Sequence, residues 1–316
     1  MTAPIRVLYI TGWLRSGSTI VGNLLNELPG VLHVGELHYL WQNGVLRHGT
    51  NSSCGCGADV TACPLWSGVL DTLGLSDLTT RAEQMMGWQR AGLRTRHVKD
   101  RLAGARRGSH PAPVRAAVDQ TVALYRALAE RGAERLIVDS SKYPAEAAAL
   151  LGRPELDVRI LHTIRDPRAT AYSYQRSKEY ISPMSPAEST AHWVGFNLAS
   201  ELVGAAAAGR YLRVRQEDLA YRPAEVVTRV MRFAGLDGAP PVDDSGQAQL
   251  GVNHTVTGNP DRLSQGTVRI RPDERWRTDL APRHVAVATG IALPLLRRYD
   301  YPVLRRRVPE PSGVGS

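Results

Sequence analysis

No stretch of this sequence approaches the roughly 18 consecutive apolar residues that a membrane-spanning helix needs. The start, MTAPIRVLYI, lacks both the charged opening and the apolar core of a secretory signal. Together the two absences predict a cytoplasmic protein without stable membrane insertion. Internal repeats are missing too, and the nearest approach to low complexity is the alanine run from Gly204 to Ala208, so a solenoid or a polar tract is not expected. Cysteine is scarce. The chain has three, Cys54, Cys56 and Cys63, and an odd number without a secretion signal argues against a disulfide scaffold.

Acidic side chains are outnumbered by basic ones, 30 to 39, which leaves a formal charge of +9 and an isoelectric point near 9.8. That balance favours an anionic partner without choosing among nucleotide, nucleic acid and membrane surface. Much of the excess lies between Arg94 and Arg107 and at Arg297, Arg298 and Arg305 to Arg307. Aromatic residues make up 6% of the chain and hardly interleave with these clusters, so a stacked single strand of nucleic acid is not an expected partner. Solvated faces are the plainer reading of the clusters.

What the chain does have is enough apolar residue for a sizeable core: 43% of 316 positions, suited to one large α/β domain or two ordinary ones. Ile5 to Thr11 reads as a buried strand, followed by a Gly-rich turn and a periodic segment with Ile20, Leu24, Leu25 and Leu28. The same grammar returns at Arg135 to Asp139 with an alanine-rich helix from about Tyr143 to Leu151, and at Val158 to Ile164 with a helix opening at Asp166-Pro167. A further strand is expected at Tyr211 to Arg215, and helices at about Pro223 to Ala234 and Pro282 to Leu296. Strands alternating with helices predict an α/β fold with a parallel sheet of about five strands covered on both faces. An insertion from about Trp41 to Pro113, partly helical, and a long loop from about Asp237 to Arg275 exceed ordinary connectors. Loops of that length over such a sheet are commonly functional lids or disordered.

GWLRSGST, residues 12 to 19, has the glycine spacing of a phosphate-binding loop but lacks its lysine; Ser18 stands in that place and Arg15 lies within the loop. Backbone N–H groups of Ser16, Gly17, Ser18 and Thr19 at the start of a helix would converge on an anion, with Arg15 adding a forked cation. A plain strand-to-helix turn would explain Gly17 and a capping serine but neither the arginine nor three hydroxyls. In HTIRDPRATAYSYQRSKE, residues 162 to 179, Arg165 ends a strand and Ser173 falls two helical turns later, where the two could hold a second phosphate. Taken alone, Arg-Asp-Pro is also an ordinary helix start.

RSGST after the first strand, VDSSKYP after a later one and RDPRATAYS after the next together resemble the sulfotransferases that use 3′-phosphoadenosine 5′-phosphosulfate. The resemblance is nearest to the branch containing tyrosylprotein, carbohydrate and many bacterial enzymes, and by motif order it runs from about Arg6 to Tyr301. It implies one domain over residues 1–316, the phosphosulfate as co-substrate and no metal requirement. The first motif would hold the 5′-phosphosulfate, with Arg15 neutralising charge on the bridging oxygen, and Arg165 and Ser173 would hold the 3′-phosphate. The resemblance implies a catalytic base at Glu36, in HVGELHYLW just beyond the second strand, and a role for Lys142 beside the transferring sulfate. Without it, Glu36 reads as a cap or ion-pair partner, Lys142 as a solvated lysine, and His33 and His38 as structural or solvent-facing. TGNPDRLSQGTVRIRPDERWR, residues 257 to 277, resembles the family's late lid, implying donor contacts from Asn259, Arg262 and Trp276. One departure is Gln216 before Glu-Asp-Leu, where related chains have a tyrosine near the adenine.

The expected reaction is sulfuryl transfer to a hydroxyl of a small-molecule, glycan or lipid acceptor. Two other readings remain open: an ATP-dependent kinase with a degenerate loop, using Asp139 for magnesium, and a catalytically inactive nucleotide-binding interaction module. For CGCGADVTAC, three sulfurs with His48 as a fourth ligand could hold zinc, and two could form a disulfide or redox pair. The spacing departs from paired CxxC knuckles, so reduced structural thiols are the favoured reading and no metal is expected.

Overall fold

Side chains of Ile5–Thr11 (β1) alternate between two cores: Val7 and Tyr9 join one, Leu8 and Ile10 the other, all without exposed surface. A strand apolar on both faces belongs inside a parallel sheet. The computed structural model, which describes residues 3–49, 51–132, 135–175 and 182–303, places it there. With Val31–Gly35 (β2), Leu136–Lys142 (β3), Leu156–Ile164 (β4) and Tyr211–Arg215 (β5) it forms a five-stranded parallel sheet in the order β2-β3-β1-β4-β5. Arg305 to Arg307 and residues 176–179 of the second motif lie outside the described residues.

One face is covered by Ser18–Asn26 (α1) and, later in the chain, by Pro223–Ala234, through Val21, Leu24, Leu25, Val226 and Val230. The other is covered largely by the insertion, which is more helical and longer than expected: Pro64–Thr72 (α2), Leu78–Gly92 (α3), Val98–Arg107 (α4) and Ala112–Ala129 (α5). Pro144–Leu150 (α6) packs beneath them. Its four alanines are fully buried, and just beyond its end α4 comes so close that a methyl on Gly152 would lie 2.8 Å from Ala105 Cα. Pro167–Gln175 (α7) and Pro186–Ala206 (α8) follow β4, and Gln216–Tyr221 (α9) with Pro223–Ala234 (α10) follow β5.

The long loop is not structureless. Gln247–Leu250 (β6) and Gly266–Arg269 (β7) pair as an antiparallel hairpin, with alternate positions buried in β6 and half-buried in β7, and Pro260–Leu263 adds a tight helical turn. Beyond it come the short helix Trp276–Asp279 (α11) and Pro282–Arg298 (α12). No helix among the described residues is long and apolar enough to cross a membrane.

Candidate active site

All five parallel strands end at one cleft of about 1070 Å³. Arg15 follows β1, Glu36 follows β2, Lys142 ends β3, Arg165 follows β4 and Gln216 follows β5, and all five line it. The carboxyl ends of parallel strands are where open α/β sheets place ligands, most often where neighbouring strands send the chain to opposite sides. Here β1 lies between β3 and β4 and carries the loop of residues 12–17.

Gly17 precedes α1 with φ 84°, in the left-handed region that glycine enters without cost, and a methyl there would meet Gln216 Cγ at 3.0 Å. The first turn of α1 has neither a side-chain cap nor an acidic residue. Its leading N–H groups and positive dipole end therefore face the cleft at Ser18 and Thr19, a site suited to an anion. Arg15 is held at φ 71° and donates from Nε to Ser173 Oγ at 3.0 Å. Its carbonyl accepts from Arg165 Nη1 at 3.4 Å, so loop and α7 are tied together. Ser16 turns inward, its hydroxyl 2.8 Å from that of Thr163, and supports the loop from beneath.

On the opposite wall, Lys142 Nζ donates to Glu36 Oε1, and both residues are buried. The sequence sets this pair from both ends. Lys142 has φ 73°, a strained value for a residue with a side chain, after a register shift between β1 and β3. Glu36 follows Gly35, whose φ of 77° and whose contact with Val256, whose carbonyl oxygen would lie 2.4 Å from an added methyl, exclude any larger residue. Glu36 N–H donates to the Val256 carbonyl at 2.8 Å, and Val256 N–H to Val34. Tyr39, whose hydroxyl lies 2.7 Å from that of Tyr143, stands beside the pair on the cleft wall.

At the other end Arg165 faces Asp273, 3.3 Å away, and Asp273 also accepts from Arg275 Nε at 2.8 Å. Hydrogen bonds from Arg275, and then the Arg165 charge, hold the Asp273 carboxyl down at about 2. Arg165 Nε is buried without a partner among the described residues. The guanidinium thus has donor capacity that its carboxylate neighbour does not use.

Asn259 lines the cleft. Arg262 and Trp276 are not brought to its wall. Arg262 is buried in its own loop, with Nη2 donating to Ser53 O at 2.7 Å and Asn51 Oδ1 at 2.8 Å and Nη1 to Thr255 O. Trp276 lies between the guanidinium groups of Arg168 and Arg277, 4.7 and 4.9 Å from its ring, and buttresses α7. His33 is buried between Asn23 and Ser140, and burial pushes it down to about 3, so it stays neutral. His38 bonds Glu146 at 2.8 Å, whereas His48 stands on the cleft wall. Asp139 is buried, with its oxygens taken by Tyr125 and Ser141, and burial followed by the nearby Glu146 charge raises it to about 7. The histidine beside the three cysteines is His254, not His48. Asp273 and Arg275 escaped the sequence reading, because their place depends on how a distant loop folds back; Tyr39 lies one turn beyond Glu36 in HVGELHYLW, and its spacing there marks it.

The sulfotransferase family model matches residues 8–240. Among curated relatives, human carbohydrate sulfotransferase 3 is 26% identical over 171 residues, 48% of this chain and 35% of that protein. The mouse protein is 26% identical over 174 residues, 49% and 36%. The chain thus spans about a third of the length of these relatives. Two solved structures share the fold. The sulfotransferase domain of the Synechococcus PCC 7002 olefin synthase aligns over 92% of this chain and 96% of that one, with TM-score 0.52 and 22% identity. The sulfotransferase domain from the curacin biosynthetic pathway aligns over 96% and 99%, with TM-score 0.54 and 16% identity.

Proposed function

The chain belongs to the sulfotransferase family, and we propose that it transfers a sulfuryl group from 3′-phosphoadenosine 5′-phosphosulfate to an acceptor hydroxyl by in-line displacement. The observation that carries this reading is the shared cleft. An uncapped helix start, Arg15 and Arg165 stand along it with a buried carboxylate–ammonium pair. The residues fit a nucleotide with anionic groups at both ends, because the α1 start offers unpaired N–H donors and Arg165 Nε has no partner among the described residues. When bound, the donor supplies an activated sulfuryl group on a phosphate leaving group.

The N–H groups at Ser18 and Thr19 bind the 5′-phosphosulfate, and Arg15 steadies charge on the bridging oxygen, a contribution that strengthens in the transition state. Arg165 and Ser173 hold the 3′-phosphate, with Asp273 giving up its place to it. Glu36 takes the proton of the acceptor hydroxyl on Oε2, the oxygen away from Lys142. Lys142 turns from Oε1 toward the sulfuryl oxygens, and Tyr39 narrows the entrance to the carboxylate. Asn259 flanks the donor end, while Arg262 and Trp276 act indirectly, by bracing the loop and α7. Gln42 and Asn43 line the remaining wall with amides that both donate and accept. Among small-molecule, glycan and lipid acceptors, this wall favours a polyhydroxylated one.

Calorimetric titration with adenosine 3′,5′-bisphosphate, and separately with ATP plus magnesium, tests the reading. The bisphosphate should bind without metal, and the donor should add sulfate to hydroxyl acceptors by mass spectrometry. Binding of ATP–magnesium alone would point to a kinase, although Asp139 has its oxygens committed inside the protein. Bisphosphate binding with no transfer to any acceptor in a broad panel would point to an interaction module.

A further inference from the structure

Outside the cleft, the insertion and the long loop meet at three cysteines and a histidine. The ligand atoms of Cys54, Cys56, Cys63 and His254 all lie within 4.8 Å of one another. Cys54 Sγ is 3.5 Å from Cys63 Sγ and 3.7 Å from His254 Nδ1, and Cys63 Sγ is 3.2 Å from the same nitrogen. A tetrahedral zinc with ordinary bonds, about 2.3 Å to sulfur and 2.0–2.1 Å to nitrogen, sets sulfur–sulfur edges of about 3.8 Å and sulfur–nitrogen edges of about 3.6 Å. These three edges match those values to within a few tenths of an ångström, and the edges to Cys56 lie within 4.8 Å. A disulfide would need its sulfurs near 2.05 Å and would leave Cys56 and His254 with no reason to converge.

The surroundings are shaped to hold this geometry. Gly55 lets the chain turn between two ligands where a methyl would lie 1.9 Å from Asn253 Oδ1, and Gly57 N–H closes the turn onto the Cys54 carbonyl at 2.9 Å. Isolated bridges join Cys54 to Val256 and Ser53 to Asp59. Trp66 Nε1 donates to the His254 carbonyl at 2.7 Å and fixes that residue from behind.

We propose that Cys54, Cys56, Cys63 and His254 form a closed tetrahedral zinc site that staples the insertion to the long loop. Three thiols release their protons on binding and the imidazole stays neutral, so the site carries one net negative charge. The buried Arg262 guanidinium, bonded to the Ser53 carbonyl next to Cys54, lies where it offsets that charge. Three soft thiolates with one imidazole select zinc over the oxygen-loving divalent ions, and four protein ligands leave no open position for substrate. The metal is structural. It acts on the cleft through Val256, two residues from His254, which holds the backbone of Glu36.

Elemental analysis by mass spectrometry of protein purified without a metal-binding tag from zinc-supplemented cells should find one zinc per chain. Cobalt(II) added to chelator-stripped, reduced protein should give thiolate charge-transfer absorption and the visible bands of a tetrahedral ion. Cys56→Ser and His254→Ala should each lose most of the zinc, while His48→Ala should keep it. Should those variants fail to fold, the stoichiometry and cobalt spectrum of the unaltered protein still decide. Zinc far below one per chain, a Cys54–Cys63 disulfide in the native protein, or full zinc retention in His254→Ala would overturn the proposal.

Discussion

Glu36→Gln keeps the size of the side chain but leaves the Lys142 ammonium, 6% exposed, without its carboxylate. By sequence alone this change removes a charge, opens no cavity and would spare the fold. The structure argues otherwise, since removing one partner of a buried ion pair costs about 3–5 kcal/mol. The pair lines an open cleft, so we take the lower end, about 3 kcal/mol. At roughly 2 °C per kcal/mol for a chain of this size, the melting temperature should fall by about 6 °C. Catalysis should fall independently: losing a general base lowers kcat by roughly 10²–10⁴. The double variant Glu36→Gln/Lys142→Met separates the two effects, because replacing a whole buried pair by apolar groups is often neutral. It should recover most of the melting temperature and none of the turnover. The assay should use an aliphatic hydroxyl acceptor at saturating donor, with melting followed by scanning fluorimetry. If Glu36→Gln turns over within a few-fold of the parent, Glu36 is not the base, and His48 on the cleft wall is the next candidate.

Arg165→Ala and Ser173→Ala should each raise the dissociation constant for adenosine 3′,5′-bisphosphate about 10- to 150-fold, the equivalent of roughly 1.5–3 kcal/mol per charge-assisted contact; unchanged affinity would move the 3′-phosphate elsewhere. Asp273→Asn should act in the opposite direction and tighten bisphosphate binding several-fold, because it removes the carboxylate that competes for Arg165; weaker binding in the titration would make Asp273 a donor-positioning residue instead. His33, pushed down to about 3 from an ordinary 6.5, binds its proton more readily in the unfolded chain. Its contribution to stability is therefore complete above pH 6.5 and is lost as the pH falls toward 3, by up to about 5 kcal/mol. Urea midpoints for His33→Gln should accordingly depend less on pH between 7 and 4 than those of the parent, and an equally steep dependence would contradict the assignment.

The elements that were legible are those set by local chemistry. Tyr211–Arg215 and Pro223–Ala234 fall where β-rich sequence and a proline start put them, and the alanine helix lies within a residue of its expected bounds. β2 is five residues, VLHVG, with a histidine and a glycine, too weak a pattern to stand out, and it was anticipated only through the family resemblance. The β6–β7 hairpin was not foreseen, since QAQL and GTVR are four residues each and a long excursion separates them. For the site, the loop and strand-end positions were readable because a strand followed by a turn fixes where they point. The directions of Arg262, Trp276 and His254 were not, because each is set by partners distant in sequence: Ser53, Arg168 and the cysteines.

The bridge from Val256 to Gly35 governs the order in which the protein can mature. β2 is the outer strand of the sheet, and its far end is closed by a segment that leaves the ribosome late. Arg262 and the Ser53 carbonyl it braces are 209 residues apart. At roughly 5–20 residues per second, about 10–40 s pass between synthesis of the two. Once β3 has joined β2, and until the long loop arrives, the outer strand and the Glu36 backbone lack the segment that closes their far end, and an uncovered edge can pair with a neighbouring chain. The cleft wall at Glu36 is therefore completed only after the long loop has arrived.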